Sequence, residues 1–257
     1  MKMSITKYIL LTFLLSYGCW VSIHIANNYG YLTYGTPVCM ILFLLGGWSP
    51  TIFGVLYKMK NSNLSFKTIM KDVFHFKQPP IFYAMIVLAC LSFYITPYIL
   101  NEMEYGLPIY TAIMALPLMV FGGGLEELGW RSLQLYLENK FSFFISSLIT
   151  GCIWAAWHFP LFIINGSNQS KMNLLSFIIY VMGMAFLLGA ITHITKSIWL
   201  CVLFHSLMNT VRESFLVNET VLINSISTIL MISLSLLLVT YFKNKSYQVK
   251  SVFLLEY

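Results

Sequence analysis

Eight apolar runs, each long enough or nearly long enough to cross a lipid bilayer, follow one another along this chain and leave little sequence between them. They are Tyr8 to Ala26, Pro37 to Tyr57, Pro79 to Leu100, Leu107 to Leu125, Phe141 to Ile164, Met172 to Ile191, Ser197 to Val211 and Val221 to Phe242. A soluble fold needs a charged surface, and only 9% of these residues are Asp, Glu, Lys or Arg, where a soluble domain carries about 25%. Backbone polar groups in lipid must be satisfied internally, so runs of this kind fold as helices. The expectation is an all-α polytopic membrane protein of about eight transmembrane helices. Residues 1–257 would form a single membrane-embedded domain, with a core bundle at 107–211 carrying the polar residues discussed below.

The first run follows Lys2 and Lys7, as a signal peptide would. Ser22 to Asn27 offers no small-x-small cleavage site, so the run reads as a span. With the N-terminus inside, Lys2, Lys7, Lys58, Lys60, Lys67, Lys71, Lys77, Arg131, Lys140, Lys196, Lys243, Lys245 and Lys250 fall on the cytoplasmic side. Only Lys171 and Arg212 fall outside, a bias that sets orientation and puts both termini in the cytoplasm. The net charge of +6 implies no nucleic-acid partner, because no Lys/Arg cluster lies beside a stacking platform or a base-reading helix.

Cys19, Cys39, Cys90, Cys152 and Cys201 lie unpaired in apolar runs and read as small core hydrophobes. Between the second and third spans, Leu64, Phe66, Ile69, Met70, Val73 and Phe74 recur at helical spacing against Lys67, Lys71 and His75. This reads as an amphipathic helix on an anionic inner leaflet, or else as an ordinary charged loop. His24 and His75 have no evident partner, and His193 reads as an interface residue beside Lys196.

Polar groups within lipid-spanning segments are costly and each needs a reason. Glu126, Glu127 and Arg131 sit at the inner end of the fourth span in Phe121-Gly-Gly-Gly-Leu-Glu-Glu-Leu-Gly-Trp-Arg. His158 follows Trp154 and Trp157 in the fifth span, and His205 and Asn209 lie in the seventh. Glu127 and Arg131, four apart, share a helical face and can pair; His205 and Asn209 likewise point together. Glu126, offset by about 100°, has no partner four residues away and is free to face another helix. Trp154, one turn before His158, and Trp157 are possible pocket walls.

Two histidines and a carboxylate from three spans can therefore converge. A carboxylate beside imidazole in a poorly solvated pocket suits general-base activation of water. An imidazole and an Asn amide on one face suit an oxyanion. Together these are the parts of a hydrolase without a covalent nucleophile. Ser206 is turned about 100° from His205 and no Gly-x-Ser-x-Gly elbow exists, so a serine hydrolase reading is weaker. Gly122 to Gly124 would permit a kink or a close backbone approach, and a packing notch between spans is the rival. Pro117 and Pro160 permit breaks in the fourth and fifth helices. One tension remains: with the turn between these helices near Asn139, Glu126 lies about 20 Å and His158 about 29 Å along their helices from it.

These motifs resemble the CAAX protease and bacteriocin-processing superfamily, the bacterial relatives of the type II CAAX prenyl endopeptidase. The family's paired glutamates with arginine four positions after the second match Glu126, Glu127 and Arg131. Its aromatic residue ahead of a histidine matches Trp154 and His158, and its histidine with asparagine four residues on matches His205 and Asn209. The resemblance implies that Glu126 and His158 activate water, that His205 and Asn209 hold the oxyanion, and that Glu127 and Arg131 support them. It implies a multi-pass protein of the bacterial cell membrane. Its partners would be the bilayer and a peptide or lipidated-protein substrate entering from the membrane or the cytoplasmic side; the oligomeric state stays open. No cofactor is expected: the sequence has no His-Glu-x-x-His, and a divalent metal such as zinc, if used, would fall to Glu126, His158 and His205.

The favoured expectation is thus an intramembrane endopeptidase acting on lipidated or apolar peptides. The alternative is a non-catalytic bacteriocin-immunity or scaffold protein whose polar cluster only holds helices together. An ion-coupled transporter is weaker still, because the two halves of the chain lack a clear inverted repeat.

Overall fold

A computed structural model describes residues 2–243. Lys245 and Lys250, assigned above to the cytoplasmic side, lie outside the described residues, as does the C-terminus. The described chain is helical almost throughout: α1 (Ile5–Asn28), α2 (Pro37–Gly47), α3 (Ser49–Ser62), α4 (Phe66–Val73), α5 (Pro80–Ile99), α6 (Ile109–Gly122), α7 (Glu127–Glu138), α8 (Phe143–Trp157), α9 (Leu174–Thr195), α10 (Ile198–Val211) and α11 (Val221–Phe242). Helix starts follow local chemistry. Ser4, Ser65, Ser142, Asn173, Ser197 and Thr220 each accept a backbone N–H from the third residue onward at the start of α1, α4, α8, α9, α10 and α11. Such a cap is worth about 1 kcal/mol. α2, α3 and α5 begin instead with proline in the first turn, where a missing N–H costs nothing.

Each of the eight expected runs corresponds to helix, though the exact count of eight spans is not confirmed. Six segments are long and apolar enough to cross a bilayer, and α2 with α3, bent by 41° at Trp48, makes a seventh if taken as one. α10 has only 14 residues, about 21 Å at 1.5 Å per residue, short of a hydrocarbon core of about 30 Å. The fourth span is longer than expected. It runs from Ile109 to Glu138, so Glu126 and Glu127 lie near its middle, not at its end. Its break is at Gly123, between α6 and a 3-10 turn at Gly124–Glu126, while α6 passes through Pro117 unbroken. Pro160 does sit where α8 gives way to a 3-10 turn at Phe159–Ile163.

α9 is the central helix, packed against α8 and α11, and α11 in turn lies on α5. α1 packs on α2 and α3, α3 on α7, and α10 on α6. The α3–α7 contact brings two backbones together. A Cβ on Gly54 would lie 2.6 Å from Gly129 Cα, and one on Gly129 would strike Pro50 O and Tyr8 Oη. Only glycine at both positions lets α7, which carries the acidic pair, settle this deep.

The ends of the bundle are tied by pairs of connections. At one end Met3 and Asn61 exchange two hydrogen bonds, and His193 Nδ1 lies 2.8 Å from Glu138 Oε2. At the other, β1 (Met103–Tyr105) pairs antiparallel with β2 (Phe215–Val217), with Glu104 opposite Leu216. These three-residue strands are too short to leave a sequence pattern. His24, expected to lack a partner, belongs to this second end: Nδ1 contacts Ile163 O at 2.5 Å and Nε2 contacts Asn28 Nδ2 at 3.0 Å.

The amphipathic segment forms α4 as anticipated, with Ile69 and Val73 buried against Val55, Ile198 and Val202 while Phe66 stays exposed. His75 is exposed. Of the cysteines, Cys19, Cys39 and Cys201 are buried, Cys90 is partly buried, and Cys152 is exposed on the outer face of α8. Cys152 is therefore not the core residue it was read to be.

Candidate active site

Glu126 closes the 3-10 turn that follows the break in the fourth span, and its amide donates to Gly123 O at 3.0 Å. Its carboxylate is buried and forms no salt bridge with Lys or Arg among the described residues. Instead Oε2 accepts from two indoles, Trp130 Nε1 at 3.4 Å and Trp154 Nε1 at 3.3 Å. Trp130 is four residues on, so the expectation that Glu126 has no partner at that spacing fails. The i, i+4 rule would have found it had indole N–H been counted among the donors.

Glu127 points the other way. Its Oε2 lies 2.7 Å from Arg131 Nε, with both side chains fully buried, and its Oε1 lies 2.8 Å from His205 Nδ1. The Glu127–Arg131 pair was legible from spacing; the junction with His205, 78 residues later, was not. Two charge-assisted contacts on one carboxylate offset much of the desolvation that each group suffers alone.

The two histidines are oriented by different acceptors. His158 ends α8, and its Nδ1 lies 2.8 Å from Trp154 O. A carbonyl only accepts, so Nδ1 carries the hydrogen and Nε2 keeps the lone pair. His205 turns Nδ1 to the Glu127 carboxylate, which leaves its Nε2 toward Gly123. The indole of Trp154 stands between them, with ring centroids 5.7 Å from His158 and 5.4 Å from His205. Trp157 stacks edge-on to His158 at 4.7 Å.

Glu126, His158, His205 and Asn209 line one cavity of about 160 Å³, walled by Trp154 and Trp157. Glu127 and Arg131 do not reach it; they lie behind His205. Gly123 is what lets the polar groups close on one another. A Cβ there would lie 2.7 Å from Asn209 Nδ2 and 3.6 Å from His205 Nε2. The glycine run therefore provides both the break and the close approach. Next to it, a Cβ on Gly124 would strike Ser206 Oγ, which is itself committed to Val202 O at 2.7 Å. Ser206 is thus a packing residue here.

The depth tension also resolves. α7 ends at Glu138 and α8 begins at Phe143, so Glu126 and Trp154 each lie about 17–18 Å along their helices from the turn. Trp154, one turn below His158, is level with the carboxylate it contacts. His158 lies about 22 Å along, within one helical turn of both.

Arg212, read from sequence as a topology charge, also lines the cavity. Its guanidinium pairs with Glu219 and lies 5.1 Å from the Tyr180 ring centre. Only its place one turn past Asn209 could have signalled this. Among the described residues, no three His, Cys, Asp or Glu side chains are grouped so as to hold a metal ion. Glu126, His158 and His205 share a cavity without forming such a set.

Comparison with known proteins bears on this constellation directly. Residues 108–211 match the family described as type II CAAX prenyl endopeptidase Rce1-like. The core of the chain thus resembles this Rce1-like family. The chain is also 26% identical to a CAAX prenyl protease 2 of Methanococcus maripaludis, over 90% of its own length and 92% of that protein's. The Rce1-like match spans the break at Gly123, both glutamates, Arg131, Trp154, His158, His205 and Asn209.

Proposed function

We propose that this protein is an intramembrane endopeptidase that hydrolyses peptide bonds in lipidated or apolar polypeptides with water activated by Glu126 and His158. The reading rests on one observation: Glu126, His158, His205 and Asn209, from three separate helical segments, line a single cavity. The family match and the protease relative support the class of reaction.

In this mechanism a water molecule sits between the Glu126 carboxylate and the Nε2 lone pair of His158. One of them takes its proton as the oxygen attacks the scissile carbonyl. The carbonyl oxygen becomes an oxyanion facing Asn209 Nδ2 and His205 Nε2, where the amide N–H and a proton on Nε2 stabilise it. Glu127 holds His205 through Nδ1 and balances positive charge on the ring, with Arg131 fixing Glu127 in turn. The tetrahedral intermediate then collapses, breaking the C–N bond as the abstracted proton passes to the leaving amine, and the two indoles keep the Glu126 carboxylate aimed into the cavity. Glu126, His158, His205 and Asn209 are the catalytic residues; Glu127 and Arg131 are positioning residues.

The test is cleavage of a candidate substrate by the purified protein and by Glu126→Gln. Loss of cleavage in a folded variant is expected. Retained cleavage would remove Glu126 from the mechanism.

A further inference from the structure

The cavity does not sit symmetrically between the ends of the bundle. Its lining residues in end connections beyond the long helices are His158, Leu161 and Gln169, between α8 and α9, and Arg212, just past α10. The same end holds the β1–β2 pair and the His24–Ile163 contact. The opposite end, defined by the Met3–Asn61 and His193–Glu138 contacts, contributes no residue to the lining.

The two ends differ sharply in charge. Ten described lysines, from Lys2 and Lys7 to Lys196 and Lys243, belong to the far end, with Asp72 and Glu138 as its acids. The cavity end has Lys171 and Arg212 against Glu102, Glu104, Glu213 and Glu219. Lys and Arg within short connections resist translocation, so the lysine-rich end is the one retained in the cytoplasm.

We infer that the reaction cavity opens toward the extracytoplasmic face, and that its substrate is a polypeptide presented there: a secreted peptide or the outer juxtamembrane part of a membrane protein. This rests on the reading of the cavity as the reaction site, and it reverses the side of entry expected from sequence. Gln169 and Arg212 give the mouth polar groups for a peptide backbone, while the lysine-rich end offers no lining residue by which a cytoplasmic chain would enter.

Two measurements test it. Asn168→Cys and Asn139→Cys, in exposed connections at the cavity end and the lysine-rich end respectively, are exposed to a membrane-impermeant maleimide in intact cells, with the parent chain as blank. Labelling of Asn168→Cys in intact cells, and of Asn139→Cys only after permeabilisation, is expected; the reverse pattern overturns the inference. An apolar quenched peptide made membrane-impermeant by a charged tag is then offered to sealed vesicles of each orientation carrying the wild-type chain or Glu126→Gln. Glu126-dependent cleavage only in right-side-out vesicles is expected, and cleavage only in inverted vesicles overturns the inference. If detergent-solubilised protein also fails to cleave, the hydrolase reading falls, while the labelling still decides which way the cavity faces.

Discussion

His205 gives its Nδ1 hydrogen to Glu127, 2.8 Å away, and not to the neighbouring Glu126. The adjacent carboxylates thus divide the work: one holds a histidine, and the other is left with two indoles and the cavity. Glu127→Ala would strand both Arg131 and His205 in a buried setting, and we expect a stability loss of about 3–5 kcal/mol in detergent-solubilised unfolding. Glu127→Gln keeps an acceptor for Nδ1 and is expected to fold, with kcat reduced roughly 10²–10⁴-fold and KM nearly unchanged.

Glu126→Gln preserves the side chain's shape and still accepts from Trp130 and Trp154. We expect it to fold like the parent while cleavage falls roughly 10²–10⁴-fold, the usual contribution of a positioned general base. Trp154→Phe keeps the wall but deletes one indole donor, and a fall of about tenfold or less is expected in the same assay.

Two glycine substitutions should separate folding from catalysis. Gly54→Ala drives a methyl into the backbone of Gly129, which cannot rotate away, so a stability loss of about 1–3 kcal/mol is expected. Gly123→Ala meets the end of the Asn209 side chain, which can turn aside. We expect near-parental thermal stability with about 10²-fold lower kcat, since small misplacements at a reaction centre cost that much.

Chelation offers a further check. Because the described residues present no three-ligand metal set, dialysis against a strong chelator is expected to leave Glu126-dependent cleavage unchanged. Loss of cleavage, with recovery on adding one metal, would require the cavity groups to rearrange around it.

The membrane class and nearly all of the helices were legible because lipid tolerates so few polar residues that apolar length and the exceptions to it stand out. Glu127 with Arg131, and His205 with Asn209, could be paired by spacing alone. The longer fourth span was missed because Glu126, Glu127 and Arg131 look like a terminus when charge is the criterion; their mutual neutralisation and indole contacts let the helix continue. The partners of His24, the role of Arg212 and the junction of Glu127 with His205 depend on how distant helices pack. α10 was counted as a span by its apolarity, yet it is too short, since its far end turns into the connection that carries Arg212.

The order of residues in the buried trio also bears on how the chain enters the membrane. Arg131 and Glu127 are four residues apart and can leave the translocation machinery already neutralising each other. Their histidine emerges only in the third helix further on, and Glu126 waits for an indole 28 residues downstream. The nascent fourth helix must therefore be shielded by a neighbour or an insertase until the fifth arrives, which makes biogenesis, more than the finished fold, the stage at which this polar centre is most exposed to failure.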